Sequence, residues 1–253
     1  MPRFFVQASA ISGDTVTLTG DNAHHAAYSL RLAPGDRIQV CDQQTAYLCE
    51  MVSFDSDSAI ARILSSKPID TEPPFIARLY QALPKGDKLD TVIQKAVECG
   101  VYEVIPFESS RCIVRAKPEA EARKTERRCR IAEEAAKQCG RGVIPTVKPT
   151  VTFAEALQLA EGADLALFCY EGAEVTPLPA ILEMASPSLD AARAEGRTPE
   201  IAIFVGSEGG FSPEEAAAAR RAGFAMTGLG KRILRTETAS GFVLSCLIYA
   251  LEL

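Results

Sequence analysis

Ile203-Phe204-Val205-Gly206-Ser207-Glu208-Gly209-Gly210-Phe211-Ser212 sets the reading of the whole chain. An apolar run long enough for a buried strand passes directly into a glycine-rich turn. Ser212-Pro213-Glu214-Glu215 follows, a capping box with proline at the first helical position. Glycine removes the Cβ that keeps a ligand away from the main chain, so such a turn lets backbone N–H and C=O groups approach a ligand closely. The spacing is neither GxGxxG nor GxxxxGK[ST], which disfavours a dinucleotide or P-loop site. A tight strand–helix turn without any ligand remains open on this stretch alone.

A second connection repeats the pattern. Gly228-Leu229-Gly230-Lys231-Arg232-Ile233-Leu234-Arg235-Thr236-Glu237-Thr238-Ala239 follows a short strand over residues 224–227 and leads into a helix over about 237–251, with Thr236 or Thr238 as candidate caps. In a parallel sheet both turns face the same edge and form opposite walls of one pocket.

Working outward, strands alternate with helices from residue 76 onward. Residues 76–82 read as a strand. A helix after Asp87 carries apolar positions at Leu89, Val92, Ile93, Ala96 and Val97 and ends at Gly100, a plausible N-cap and C′ glycine. Further strands are expected at 101–107, 165–170 and 201–206, and helices at 118–139 and after the capping box Thr152-Phe153-Ala154-Glu155. Residues 186–199 read as a polar surface excursion. The order implies a mostly parallel α/β sheet with helices on both faces. The first 70 or so residues differ. Short alternating segments at 15–18, 37–41 and 59–64, with a turn at Pro34-Gly35-Asp36, suggest a small barrel. The proline-rich stretch 67–74 reads as the linker, giving domains 1–72 and 73–253.

Composition narrows the function classes. No run approaches the roughly 18–20 apolar residues of a membrane helix, and the N-terminal residues lack a signal-peptide pattern. A cytoplasmic protein is expected. The eight cysteines stand singly and only His24 and His25 are histidines, so no metal is expected. The formal net charge of −6 taken alone opposes nucleic-acid binding. Two local clusters oppose that inference: the basic run from Arg111 to Arg130, and Lys231, Arg232 and Arg235. Screening limits a charge's reach to about 10 Å, so local charge decides where phosphate docks.

The two glycine turns together resemble those of the RsmE family, SPOUT-class ribosomal RNA methyltransferases acting on N3 of a uridine. Other stretches agree in order and spacing: Pro2-Arg3-Phe4-Phe5, His25 with Leu30-Arg31, Lys85-Gly86-Asp87-Lys88, residues 93–101, and residues 134–141 with Pro145. Ser207 departs from the family pattern, which usually has proline there. The resemblance implies a PUA-like barrel followed by a SPOUT domain, an α/β fold with a trefoil knot.

It also implies S-adenosylmethionine as cofactor, 16S ribosomal RNA of the small subunit as substrate (uridine 1498) and a homodimer. Carried over by position, the cofactor residues are Tyr170, Glu171, Gly206, Glu208, Gly209, Gly210, Leu229, Gly230, Ile233, Leu234, Arg235 and Thr238. Chemistry adds roles. The N3 proton of uracil must leave, so a base or a cation stabilising the uridine anion is required. Arg235 is the candidate cation, and Glu237 or Glu208 the candidate acceptor. In the competing view Arg235 binds phosphate and Glu237 stabilises its loop. Arg3, Arg31 and Arg111 are the expected RNA contacts, while His25 reads as structural. Alternatives are a SPOUT enzyme for another RNA base, a non-catalytic RNA-binding protein, and a small-molecule α/β enzyme.

Overall fold

The structure, a computed structural model, describes residues 1–172 and 174–253. It divides into two compact units, Met1–Glu72 with Ala136–Ile144, and Pro73–Ala135 with Pro145–Leu253.

The first unit holds β1 (Arg3–Phe5), β2 (Ile11–Ser12), β3 (Thr15–Thr19), the short helix α1 (Gly20–His24), β4 (Arg37–Cys41), β5 (Thr45–Phe54) and β6 (Ser58–Pro68). These form a six-stranded sheet in the order β1-β4-β5-β6-β3-β2. Alternation drives it: on β3 and β4, Val16, Leu18, Ile38 and Val40 turn inward and are fully buried with Cys49, Met51 and Ala61, while their neighbours face water. The proline-rich stretch does not hang free. Arg141 pairs with Glu72, and the Gly142 N–H donates to Thr71 Oγ1 at 2.9 Å. Arg3 donates to Gln39 Oε1 at 2.7 Å and to the carbonyls of Gly140 and Arg141.

In the second unit the strands are β7 (Ile76–Ala82), β8 (Glu103–Glu108), β9 (Thr146–Val147), β10 (Val151–Thr152), β11 (Leu165–Cys169), β12 (Thr176–Pro177), β13 (Glu200–Val205) and β14 (Ala225–Gly228). The sheet order is β10-β8-β7-β13-β11-β14-β12, with β9 beside β8, and all its pairings are parallel. The helices are α2 (Lys88–Glu98), α3 (Pro118–Cys139, whose last residues belong to the first unit), α4 (Phe153–Leu159), α5 (Leu178–Ala194), α6 (Pro213–Arg221) and α7 (Thr236–Leu251). Central strands of a parallel sheet are covered on both faces, which is why β13 reads as an unbroken apolar run.

The sequence expectations for β4, β7 and α3 coincide with the observed bounds. Two differ. Residues 186–194 are not an excursion but the second half of α5, which continues through Pro187. Alanine-rich sequence favours helix, and Leu189 and Ala192 bury their side chains, which offsets the hydrogen bond that proline removes. Asp87 precedes α2 but its side chain makes no cap; the capping boxes at Thr152 and Ser212 both form.

Phe204 on β13 is fully buried. Its ring stacks on Tyr80 at 4.4 Å, and Phe168 and Phe224 lie at 6.0 and 5.2 Å. Phe211, from the glycine-rich turn, joins the cluster against Phe168 at 4.1 Å. The same aromatic core therefore holds the sheet and anchors the turn. Phe204→Ala should lower unfolding stability by about 3–5 kcal/mol. A urea midpoint unchanged from wild type would contradict that.

Candidate functional site

Strands β13, β11 and β14 lie near the centre of the sheet and end level with one another. Phe168 pairs with Phe204 and Cys169 with Thr227, and the Tyr170 N–H donates to Thr227 O at 2.8 Å. Three connections thus leave one edge together, at Tyr170-Glu171-Gly172, Gly206–Gly210 and Gly228–Arg235. They line a single cavity of about 730 Å³, within the size range of small-molecule sites.

Two glycines show why the main chain is bare here. A Cβ on Gly206 would stand 3.1 Å from Gly210 Cα and 3.3 Å from the Phe211 ring. Gly230 adopts φ 105°, a conformation open to glycine and strained for other residues.

Side chains behind the turns fix their shape. Gln81, fully buried near the end of β7, donates from Nε2 to Ala82 O at 3.0 Å and to Thr236 Oγ1 at 2.9 Å. Thr236 Oγ1 donates in turn to Gly206 O at 2.6 Å. The Ser240 hydroxyl donates to Gln81 Oε1 at 2.6 Å. Thr236 is therefore not the cap of α7: it is the first helical residue, with Arg235 at the N-cap, and its hydroxyl ties the helix to the opposite turn.

Glu208 accepts from the Lys85 N–H at 3.1 Å and from Lys88 Nζ at 2.7 Å. Glu215, buried at the start of α6, accepts from the N–H groups of Ser110 at 2.7 Å and Ser212 at 2.9 Å. That holds the 109–112 segment beside the turn, where Arg111 donates to Gly209 O at 3.1 Å.

The cavity brings together Tyr170, Glu171, Gly206, Glu208, Gly209, Gly210, Leu229, Gly230, Ile233, Leu234 and Arg235, along with Arg111. Glu237 and Thr238 are not among its lining residues. Both lie in the first turn of α7, where Glu237 faces Lys88 Nζ at 3.8 Å. Ile233 lines the cavity while remaining 82% exposed. Arg3 and Arg31 belong to the first unit. There the Arg3 guanidinium closes on backbone carbonyls, whereas Arg31 is exposed.

Sequence reasoning missed Lys88 as a lining residue, and Gln81, Thr236, Ser240 and Glu215 as supports. A polar Gln81 inside an apolar strand was the available signal.

The rim is cationic: Lys88, Arg111, Lys231, Arg232 and Arg235 against Glu171 and Glu208. Burial tends to raise the Glu208 carboxyl, but the Lys88 ammonium and the N–H groups of Glu208 and Lys85 outweigh it and hold the group below the ordinary glutamate range. Glu208 is thus a poor proton acceptor. Burial pushes the Cys169 thiol, at the cavity wall, up to about 12; it stays protonated at neutral pH and is no thiolate nucleophile.

Comparison with known proteins places this geometry. Residues 71–248 match the model of an RNA methyltransferase domain, and residues 18–64 that of an RNA methyltransferase PUA domain. Ribosomal RNA small subunit methyltransferase E of Bacillus subtilis is 31% identical, with 100% of this chain and 98% of the relative covered. The Synechocystis protein of the same name is 31% identical over 99% of this chain and 78% of its own length. The Neisseria gonorrhoeae enzyme, solved bound to S-adenosyl methionine, superposes with a TM-score of 0.79 at 30% identity, covering 99% of this chain and 98% of that one.

The lowered pKa of Glu208 predicts a pH dependence. Its contribution is present above the unfolded-state value and is lost as pH falls through the folded one. Glu208→Gln should therefore melt below wild type at neutral pH, and the gap should close as pH falls below the ordinary carboxylate range. Paired thermal melts showing a constant gap would assign the effect to something other than this charge.

Proposed function

The chain belongs to the ribosomal RNA small subunit methyltransferase E family, and from that premise we propose that it transfers a methyl group from S-adenosylmethionine to N3 of a uridine in 16S ribosomal RNA, by resemblance uridine 1498. The observation that carries the reading is the convergence of three bare-backbone turns on one cavity whose rim is cationic. The proposed substrate is RNA within the small ribosomal subunit, met in the cytoplasm. The assignment of residues 1–72 to a PUA-like RNA-binding barrel and 73–253 to the SPOUT methyltransferase domain belongs to the same reading. So does a homodimer, supported by the apolar surface that α7 leaves exposed at Phe242 and Tyr249.

The cavity fits the cofactor. Its volume suits a nucleoside with an amino-acid tail, and the turn closes so tightly at Gly206 that a Cβ there would press on Gly210 and Phe211. When bound, the cofactor supplies a methyl group already activated by the positive sulfonium, so the protein's task is chiefly positioning. Gly206–Gly210 and Leu229–Leu234 would hold it through backbone groups, together with Tyr170 and Glu171.

Attack by N3 requires the imide to lose its proton. Arg235 lines the cavity and is exposed to its mouth, where its charge stabilises the uridine anion. Glu208 is committed to Lys85 and Lys88, and Glu237 lies off the cavity beside Lys88. The reading that both carboxylates hold Lys88 in place therefore fits better than proton transfer to either, and the proton passes to water at the open mouth.

Arg235→Ala should lower the single-turnover methylation rate by roughly 100-fold, with cofactor affinity within a few-fold of wild type; a near-normal rate removes Arg235 from the chemistry. Gly206→Ala should weaken cofactor binding at least about tenfold by calorimetry, because one methyl costs 1–3 kcal/mol in a packed site. Unmodified small subunits and free 16S RNA, each incubated with labelled S-adenosylmethionine, should acquire label at one uridine that then blocks reverse transcription. Label on another base, or none, would replace the reading.

A further inference from the structure

In the first unit, α1 runs without a break into a wide π-helical turn, His25–Ser29. The underside of this segment is built into the barrel. Ala23 and Ala26 are buried, and Leu32 packs against the core. The Asn22 side chain donates to Phe5 O at 2.8 Å, Leu30 N–H to His25 O at 2.9 Å and Leu32 N–H to Ala26 O at 3.0 Å. The Phe4 ring meets the His25 ring edge-on at 6.1 Å.

The outer side does the opposite of what packing would choose. The rings of His24 and Tyr28 lie together at 4.8 Å, tilted by 38°, with Tyr28 64% exposed and Leu30 also uncovered. Arg31 follows, exposed, at φ 52°. A non-glycine residue in that region is strained and persists only where its surroundings hold it. Here the anchored Leu32 and the turn closed by Asp36 do so: Asp36 Oδ2 accepts from the Ala33 N–H at 2.7 Å. Asp36 is thereby engaged with backbone, leaving His24 and Arg31 to set the character of the face with Asp21.

We propose that this face, with Tyr28 and His24 as the ring pair and Arg31 as the flanking cation, is a stacking platform for an unpaired nucleotide of the RNA substrate. The inference rests on the RNA reading given above and adds a location to it. Exposed rings present a π-face that any base can cover, and a neighbouring guanidinium meets the phosphate or stacks on the base. A rigid, pre-shaped face spends little ordering entropy on binding. The platform lies inside residues 18–64, the span that matches the RNA methyltransferase PUA domain.

The test uses the full chain and fluorescence anisotropy at fixed salt, with a short unstructured RNA and naked 16S RNA as probes. Tyr28→Ala should weaken binding of both probes roughly tenfold, the effect of losing one stacked base, while Tyr28→Phe should stay within about twofold. Arg31→Ala should reduce the slope of log affinity against log salt on the short RNA by about 0.7, the value for one single-strand phosphate contact. Thermal melts should match wild type for all three variants, reporting an intact fold, and calorimetry with S-adenosylmethionine should give wild-type affinity.

RNA affinity unchanged in Tyr28→Ala overturns the platform alone. So does an unchanged affinity for both RNAs combined with weaker binding of Tyr28→Ala to assembled small subunits, measured in parallel, which would make the face a protein contact. A wild-type chain that binds neither RNA and methylates none overturns both this inference and the proposed function.

Discussion

The side-chain amide of Gln81 sits where three distant parts of the second unit meet: the end of β7, the turn after β13 and the first two turns of α7. It reaches Thr236 and Ser240 directly, and Thr236 passes the connection to Gly206 O. Inside a protein such a network must be complete, because each buried polar group left unpaired costs about 1–3 kcal/mol. The amide's two donors and its carbonyl all find partners. Geometry at the cavity is consequently set from behind, by side chains that never enter it, and the main-chain groups facing the cavity are left for a ligand. A site that recognises by backbone needs this arrangement, since a loop free to move would lose the preorganisation that gives backbone recognition its selectivity.

Electrostatics follow the same division between what is fixed and what is left over. The chain carries a net −6, yet much of its basic helix is already spoken for. Arg127 forms a bidentate pair with Asp90 at 2.6 and 2.9 Å, Arg128 pairs with Glu121, and Arg130 with Glu126. Such pairs on or near a surface contribute little stability each, but they cancel the field a phosphate would feel. At the rim of the cavity Lys88 is paired with Glu208, whereas Arg111 spends its hydrogen bond on a carbonyl. Counting basic residues along the sequence therefore overstates α3 as an RNA surface and understates the cavity mouth.

Much of this was legible in the residues. Periodicity delimits β4, β7 and α3, and the two glycine turns after apolar strands locate the cavity before any coordinates. What could not be read depends on three-dimensional proximity. Helix α5 crosses Pro187 because Leu189 and Ala192 find a core to bury in, a tertiary gain that local proline chemistry does not reveal. Residues 136–144 join the first unit through Arg3, Glu72 and Thr71, partners that lie at least 69 positions away in the chain. Glu237 and Thr238 belong to the same motif as Arg235, but a helix turns successive side chains by about 100°, so neighbours in sequence need not share the cavity. Lys88 enters it from another element altogether.

Ser207 shows how far tertiary ties can stand in for local stiffness. The family pattern usually places proline here, whose ring fixes φ and reduces the freedom of the unfolded chain. Serine gives up that constraint, and its hydroxyl is buried with no hydrogen-bond partner among the described residues, which by itself costs about 1–3 kcal/mol. The turn keeps its shape through other means. The Gly210 N–H donates to Ser207 O at 2.9 Å, Glu208 is pinned by Lys85 and Lys88, Gly206 O is held by Thr236, and Phe211 is locked among the rings of the core. The first tie closes the turn on itself and the others reach different elements, so none depends on the ring that is missing. The conformation of the turn is thus a property of the assembled sheet edge more than of its own residues, which is why a change of residue at its centre leaves the cavity in place.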